Sequence, residues 1–293
     1  MPELPEVETT VNMLKKSRPR TLGAVFLDVW TDTPSLIKKP RTFLQFKKEI
    51  RGKKIRRIWR RGKNIIFDLS ENKFLLIHQK LTGHLLLGEW KRQDNRWRPL
   101  FRGPLAEDPM NKFLHLIFYL DNGRQLALSD LRKFAKLEVL NPEELKKELG
   151  SLGPEPLDKS FTFERFKESV LKKKNKVIKQ VLMDQGVIAG IGNIYSDEAL
   201  FEARINPFRK IMELNEKELK EICSAIKKVL SLGIKLQGAS VSDYRLPSGA
   251  KGGFDRIIKV YRKDGQRCPR CGVIIKRQKI GGRSAHFCPK CQK

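Results

Sequence analysis

Four of the chain's five cysteines fall in its last 26 residues, as Cys268-Pro-Arg-Cys271 and Cys288-Pro-Lys-Cys291, with 16 residues between the pairs. Each knuckle supplies two thiolates from one tight turn, and two knuckles complete a tetrahedron around zinc. The spacing is that of a four-cysteine ribbon or finger. All four positions are filled, so one structural Zn2+ per chain is expected rather than a catalytic ion. Without a metal, about 40 residues here would have too little core to fold. The fifth thiol, Cys223, falls on the apolar face of a predicted helix and reads as buried.

Charge is the second constraint. In 293 residues, Lys plus Arg number 61 and Asp plus Glu 33, a formal net charge of +28. Such an excess opposes compaction and favours a polyanionic partner, above all nucleic acid, over acidic proteins or small neutral ligands. Residues 47–63 carry ten Lys or Arg, and Lys172, Lys173, Lys174, Lys176 and Lys179 form a second cluster. Residues 256–293 add twelve more against a single acid, Asp264. These stretches are expected to line a phosphate-tracking groove. No run approaches the length of a membrane-spanning helix, and the opening residues lack the pattern of a secretory signal. A reducing cytosol and no membrane partner are therefore expected.

The chain changes character near its middle. Residues 5–18 carry Val7, Val11 and Leu14 at helical spacing. Short apolar or alternating runs follow at 65–69, 74–78, 85–90, 115–120, 125–128 and 133–140, with Asp121-Asn122-Gly123 as a hairpin turn. Residues 91–112 break this pattern and read as a long loop. After a Gly/Pro-rich join at 150–157 the chain turns helical. The clearest helix spans 215–236, where Asn215 and Glu218 form a capping box ahead of Leu219, Ile222, Ile226, Val229 and Leu230 on one face. The expected fold is α+β in two lobes: an N-terminal β-sandwich with flanking helices over 1–149, a linker over 150–157, a helical domain over 158–255, and a zinc finger over 256–293.

Two further features carry possible chemistry. Removal of Met1 would leave Pro2 with a secondary amine able to attack an aldehyde-level carbon and form an iminium. Glu3 and Glu6 lie beside it, where a carboxylate can shuttle protons. Gly190-Ile191-Gly192-Asn193 precedes a predicted helix and suits a phosphate cradle. Taken singly, either is an ordinary stretch of sequence.

Together the motifs resemble the formamidopyrimidine-DNA glycosylase family, which includes endonuclease VIII. The resemblance runs from Pro2-Glu3-Leu4-Pro5-Glu6-Val7 through Arg61-Gly62-Lys63-Asn64, His78-Gln79-Lys80-Leu81-Thr82-Gly83, Asp130-Leu131-Arg132-Lys133-Phe134 and Gly190-Ile191-Gly192-Asn193 to the four-cysteine tail with Arg283. It implies a helix–two-turn–helix domain, a monomer, and duplex DNA containing a damaged base as partner. The implied activity is bifunctional: removal of oxidised purines such as 8-oxoguanine and formamidopyrimidines, then β,δ-elimination at the abasic site.

The implied catalytic residues are Pro2 as nucleophile, Glu3 as proton shuttle, and Lys63 and Arg283 on the phosphates beside the lesion. The DNA-binding set is Glu6 in support, Lys179 near the lesion, Asn193 on phosphate, and Leu81, Arg132 and Phe134 filling the void left by an extruded base. Leu81 stands where the family has Met. Residues 244–254 match a lesion-capping segment, whose Gly249, Gly252 and Gly253 suggest mobility. Two rivals remain open: an endonuclease VIII-like enzyme for oxidised pyrimidines, which Leu4 in place of Gly disfavours, and a non-catalytic zinc-ribbon nucleic-acid-binding protein.

Overall fold

A computed structural model describes all residues, 1–293. They form two compact units, Met1–Gly150 with Leu236–Asp255, and Ser151–Lys235 with Arg256–Lys293.

In chain order the first unit holds α1 (Leu4–Lys16), β1 (Phe26–Thr31), β2 (Ile37–Lys39), α2 (Phe43–Ile50), β3 (Ile55–Arg61), β4 (Asn64–Leu69), β5 (Phe74–His78), β6 (His84–Gly88), β7 (Trp90–Gln93), β8 (Arg96–Pro99), α3 (Pro104–Glu107), β9 (Leu114–Leu120), β10 (Gln125–Ser129), β11 (Lys136–Leu140) and α4 (Pro142–Gly150). One sheet runs β1-β9-β10-β6 and the other β2-β11-β5-β4-β3. Their facing sides bury Phe26, Phe67, Ile77, Leu116, Phe118 and Leu137 in one core with Val7, Val11 and Leu14 of α1. Phe118 meets the rings of Phe26 and Phe46 at 5.0 and 6.2 Å. The sandwich and the hairpin turn at Gly123 match the sequence reading.

Both sheets are covered on the outside too, which is why their strands read as continuous apolar runs rather than alternations. On β4, Ile65 and Phe67 face the central core, while Ile66 packs outward with Leu76, Leu140 and Leu145. On β9, Ile117 packs outward with Leu86, Trp90 and Ala127.

That outer cover corrects the reading of 91–112 as a loop. The stretch contains most of the β7–β8 hairpin, the single turn α3 and a 3-10 turn over Pro109–Lys112. Trp97 meets Trp30 edge-on at 5.1 Å, and Leu105 packs on the same cluster. Its polar composition hid a hairpin that uses only a few apolar side chains. Residues 236–255, assigned from sequence to the helical domain, sit in the first unit, for reasons that lie in the site itself.

The second unit holds α5 (Phe163–Leu171), α6 (Ile178–Met183), α7 (Asn193–Glu202), α8 (Glu216–Lys235) and the hairpin β12 (Lys276–Ile280) and β13 (Arg283–Phe287). The capping box of α8 forms as predicted: Asn215 and Glu218 exchange backbone-to-side-chain hydrogen bonds, both at 2.9 Å. Cys223 is buried on its apolar face. No helix is long and apolar enough to cross a membrane.

His84 on β6 is 1% exposed, with Nε2 3.2 Å from Asn111 Oδ1 and Nδ1 3.3 Å from the Thr82 carbonyl. Burial pushes its imidazole down to about 4. The unfolded chain therefore binds the extra proton first, and stability should fall as pH drops from about 6.5 toward 4, by about 3 kcal/mol in all. Urea unfolding of wild type and His84→Gln between pH 7.5 and 4.5 checks this. The variant should lose markedly less stability over that interval.

Candidate active site and nucleic-acid interface

The chain start is shaped by α1. Glu3 caps the helix, and the Glu6 carboxylate accepts the Glu3 backbone N–H at 2.8 Å. Its other oxygen accepts the N–H of Ala239 at 2.7 Å. Gly238 makes this approach possible, since a Cβ there would lie 2.8 Å from Glu6 Oε1. Tyr244 donates its hydroxyl to the Glu6 carbonyl at 3.0 Å. Glu6 is 1% exposed, so within the expected DNA-binding set it makes no DNA-facing surface: a buried carboxylate with two N–H donors positions its neighbours.

Pro2 and Glu3 are buried next to this tie. Burial lowers the α-amine at Met1 below its ordinary value, the carboxylates of Glu3, Glu6 and Asp243 oppose that shift, and Lys63 adds to it. Glu3, Glu6, Lys63 and Asp243 thus act together on the chain terminus. Lys63 is held in the two-residue turn between β3 and β4, after Gly62 at φ 57°. Arg60 fixes that turn, donating to Glu8 of α1 and to the Gly62 carbonyl at 2.8 and 3.0 Å.

Leu81, Arg132 and Phe134 sit on two loops with a common anchor. Asp130, fully buried, accepts the Thr82 hydroxyl and the N–H groups of Phe134 and Ala135, the latter two at 2.8 Å. Thr82 Oγ1 in turn accepts the Arg132 N–H at 3.0 Å. Above this anchor the Arg132 guanidinium lies 4.7 Å from the Phe134 ring, and Phe134 is 50% exposed. A large exposed aromatic under a cation is surface suited to a stacked base.

In the second unit, Asn193 opens α7, with its side-chain Oδ1 buried and unpartnered. Arg283 is exposed at the start of β13, beside the Gly281-Gly282 turn. Lys179 is not at the surface. It is 0% exposed and paired with Asp197, itself buried, so it does not line the phosphate groove expected of its lysine cluster. The other Asp197 oxygen accepts the His286 backbone N–H and faces its Nδ1 at 3.1 and 2.9 Å, so Lys179 neutralises a carboxylate that joins α7 to β13.

The four cysteine sulfurs lie within 4.8 Å of one another, with Cys268–Cys291 at 3.9 Å and Cys271–Cys288 at 3.5 Å. Ligands about 2.3 Å from a tetrahedral zinc stand about 3.8 Å apart, so the donor set fits the ion.

Family models match in three blocks: the formamidopyrimidine-DNA glycosylase N-terminal domain over 1–137, its H2TH domain over 152–245, and a zinc finger found in FPG and IleRS over 265–293. The formamidopyrimidine-DNA glycosylase of Carboxydothermus hydrogenoformans is 40% identical, with 100% of each chain covered. The chain belongs to the formamidopyrimidine-DNA glycosylase family. Its relative from Desulforamulus reducens is 38% identical, covering 100% of this chain and 99% of that one. Among solved structures, Lactococcus lactis Fpg bound to Fapy-dG-containing DNA is 33% identical with a TM-score of 0.84, covering 99% of this chain and 100% of that one. MutM from Thermus thermophilus is 34% identical at a TM-score of 0.82, covering 99% and 98%.

As a member of this family the chain is a DNA glycosylase with one structural zinc, held by Cys268, Cys271, Cys288 and Cys291. Sequence reasoning missed Gly238, Ala239 and Asp243, and it placed Thr82, Asp130 and Tyr244 in motifs without their contacts. The glycine at 238 was the one available signal, and only its contact with Glu6 gives it meaning.

Two predictions follow from this geometry. Asp130→Ala leaves a buried hydroxyl and several N–H groups unpaired, a loss of about 3 kcal/mol, and should unprotect the amides of residues 132–135 in hydrogen exchange. Chelation, or Cys288→Ser, should release one zinc per chain and unprotect 260–293 while the first unit keeps its exchange protection.

Proposed function

We propose that the chain excises oxidised purines, 8-oxoguanine and formamidopyrimidines among them, from duplex DNA and then nicks the abasic strand through an N-terminal Schiff base. The observation that carries this reading is the burial of Pro2 and Glu3 against the Glu6 carboxylate, which accepts the Glu3 and Ala239 N–H groups and so fixes the chain start. Lactococcus lactis Fpg, which this chain resembles over its whole length, forms complexes with Fapy-dG-containing and with abasic-site DNA, which supports the reading.

Trimming of Met1 exposes the Pro2 amine. Its lone pair bonds to C1′ as the bond from C1′ to the base breaks, and Glu3 donates a proton to the departing base. The Glu3 carboxylate then takes the proton shed by the nitrogen and hands it to the sugar ring oxygen. That oxygen leaves C1′ and the ring opens to the iminium. Loss of a C2′ proton expels the 3′ phosphate, and loss of a C4′ proton expels the 5′ phosphate. Lys63, Asn193 and Arg283 hold phosphates around the lesion. Extrusion of a base leaves a hole and an orphaned partner; Leu81 and Phe134 wedge the stack, and Arg132 hydrogen-bonds the orphan. Residues 244–254, together with 241–243 just before them, form the segment that caps the extruded base.

Incubation with an end-labelled 8-oxoguanine duplex should yield a strand with phosphate at both ends of the gap, and borohydride should trap a covalent adduct. Glu3→Gln should lower excision about a hundredfold or more and leave DNA affinity nearly intact. Absence of an adduct from Met-trimmed protein, or unchanged excision by the variant, contradicts the reading. Thymine glycol cleaved in preference to 8-oxoguanine would move it to oxidised pyrimidines.

A further inference from the structure

The segment 91–112 supplies none of the groups used above, yet it reaches directly into 242–249. The Asp108 carboxylate accepts Arg245 Nε at 2.6 Å, with the two side chains 14% and 6% exposed. The same guanidinium donates Nη1 to the carbonyls of Ser242 and Tyr244, both at 2.8 Å. Asn111, 1% exposed, donates Nδ2 to the Gly249 carbonyl at 3.0 Å while its Oδ1 faces His84. At Gly249 the backbones touch: φ is +83°, and a Cβ would sit 2.7 Å from the Leu105 nitrogen.

These contacts correct the expectation of a loosened cap. Gly249 permits close packing on the α3 turn, and Gly252 packs on the Gly238 carbonyl, where a Cβ would lie at 2.3 Å. Tyr244, Arg245 and Leu246 are each about as buried as core residues, at 4, 5 and 4% exposure. Ahead of them Ser242 is exposed and Val241 and Asp243 are half-buried, a short stretch anchored on its far side by Ala239 on Glu6.

A partly buried Arg–Asp pair contributes little to stability alone, because desolvation offsets much of its attraction. Its use lies in geometry. Here Asp108 orients the guanidinium that holds the carbonyls of Ser242 and Tyr244, and so fixes the stretch that runs between them.

We propose that Asp108 and Asn111 are positioning residues for base excision: through Arg245 and Gly249 they hold 241–243 in place over the extruded base before DNA arrives. The inference rests on the function proposed above. Holding the cap in advance spares the ordering of that loop on binding. The benefit exists only when there is a base to cap, so it applies to glycosidic cleavage and not to nicking at a site that has already lost its base.

The test compares single-turnover rates on two duplexes, one with 8-oxoguanine and one with a preformed abasic site. Asp108→Ala should slow excision about tenfold or more, while abasic-site nicking stays within about threefold of wild type. Trypsin should cut the variant faster after Lys251. Asp108→Asn, which keeps the shape and loses the charge, serves as the second variant and gives the same split if the alanine variant does not fold. Equal slowing of both reactions, or slowing of neither, overturns the inference. A wild-type protein inactive on both duplexes overturns the proposed function, and this inference with it.

Discussion

A single buried carboxylate closes the first unit on itself. Glu6 accepts one N–H from the residue that starts α1 and another from Ala239, 233 positions later. Its backbone carbonyl takes two more donors, the hydroxyls of Thr10 and Tyr244. With this residue in place, the chain start, the β3–β4 turn and the returning segment share one frame. Burial of an unpartnered carboxylate would be costly, so all of its donors must arrive together.

The net charge reads differently once the ion pairs are placed. Arg60, Lys179 and Arg245 belong to the excess that suggested a phosphate groove, yet each is committed internally, to Glu8, Asp197 and Asp108 respectively. A charge count therefore overstates the surface available to a polyanion. Arg283, exposed beside its glycine turn, keeps the position its sequence context implies.

Features written locally were legible in the sequence. The cysteine spacing, the Asn215–Glu218 cap, the Asp-Asn-Gly turn and the β4, β5, β9 and β10 strands could all be read directly. Strand β3 was hidden because Ile55 and Ile58, its buried residues, stand among arginines whose charge dominated the reading. The β7–β8 hairpin was hidden because it is polar on one side and uses Trp90 and Trp97 on the other. The pairs that build the site were not legible at all. Glu6 with the Ala239 backbone, Thr82 with Asp130 and Asp108 with Arg245 are pairs of ordinary groups far apart in the chain. Only the fold brings them together.

The shared anchor beneath Leu81, Arg132 and Phe134 has a kinetic side. Because Thr82 and Asp130 bind each other as well as both loops, one loop cannot advance while the other stays behind. In the void-filling role proposed for them, three tips on a common shank would test a base pair in one stroke, each trial a yes-or-no event with no half-inserted state between.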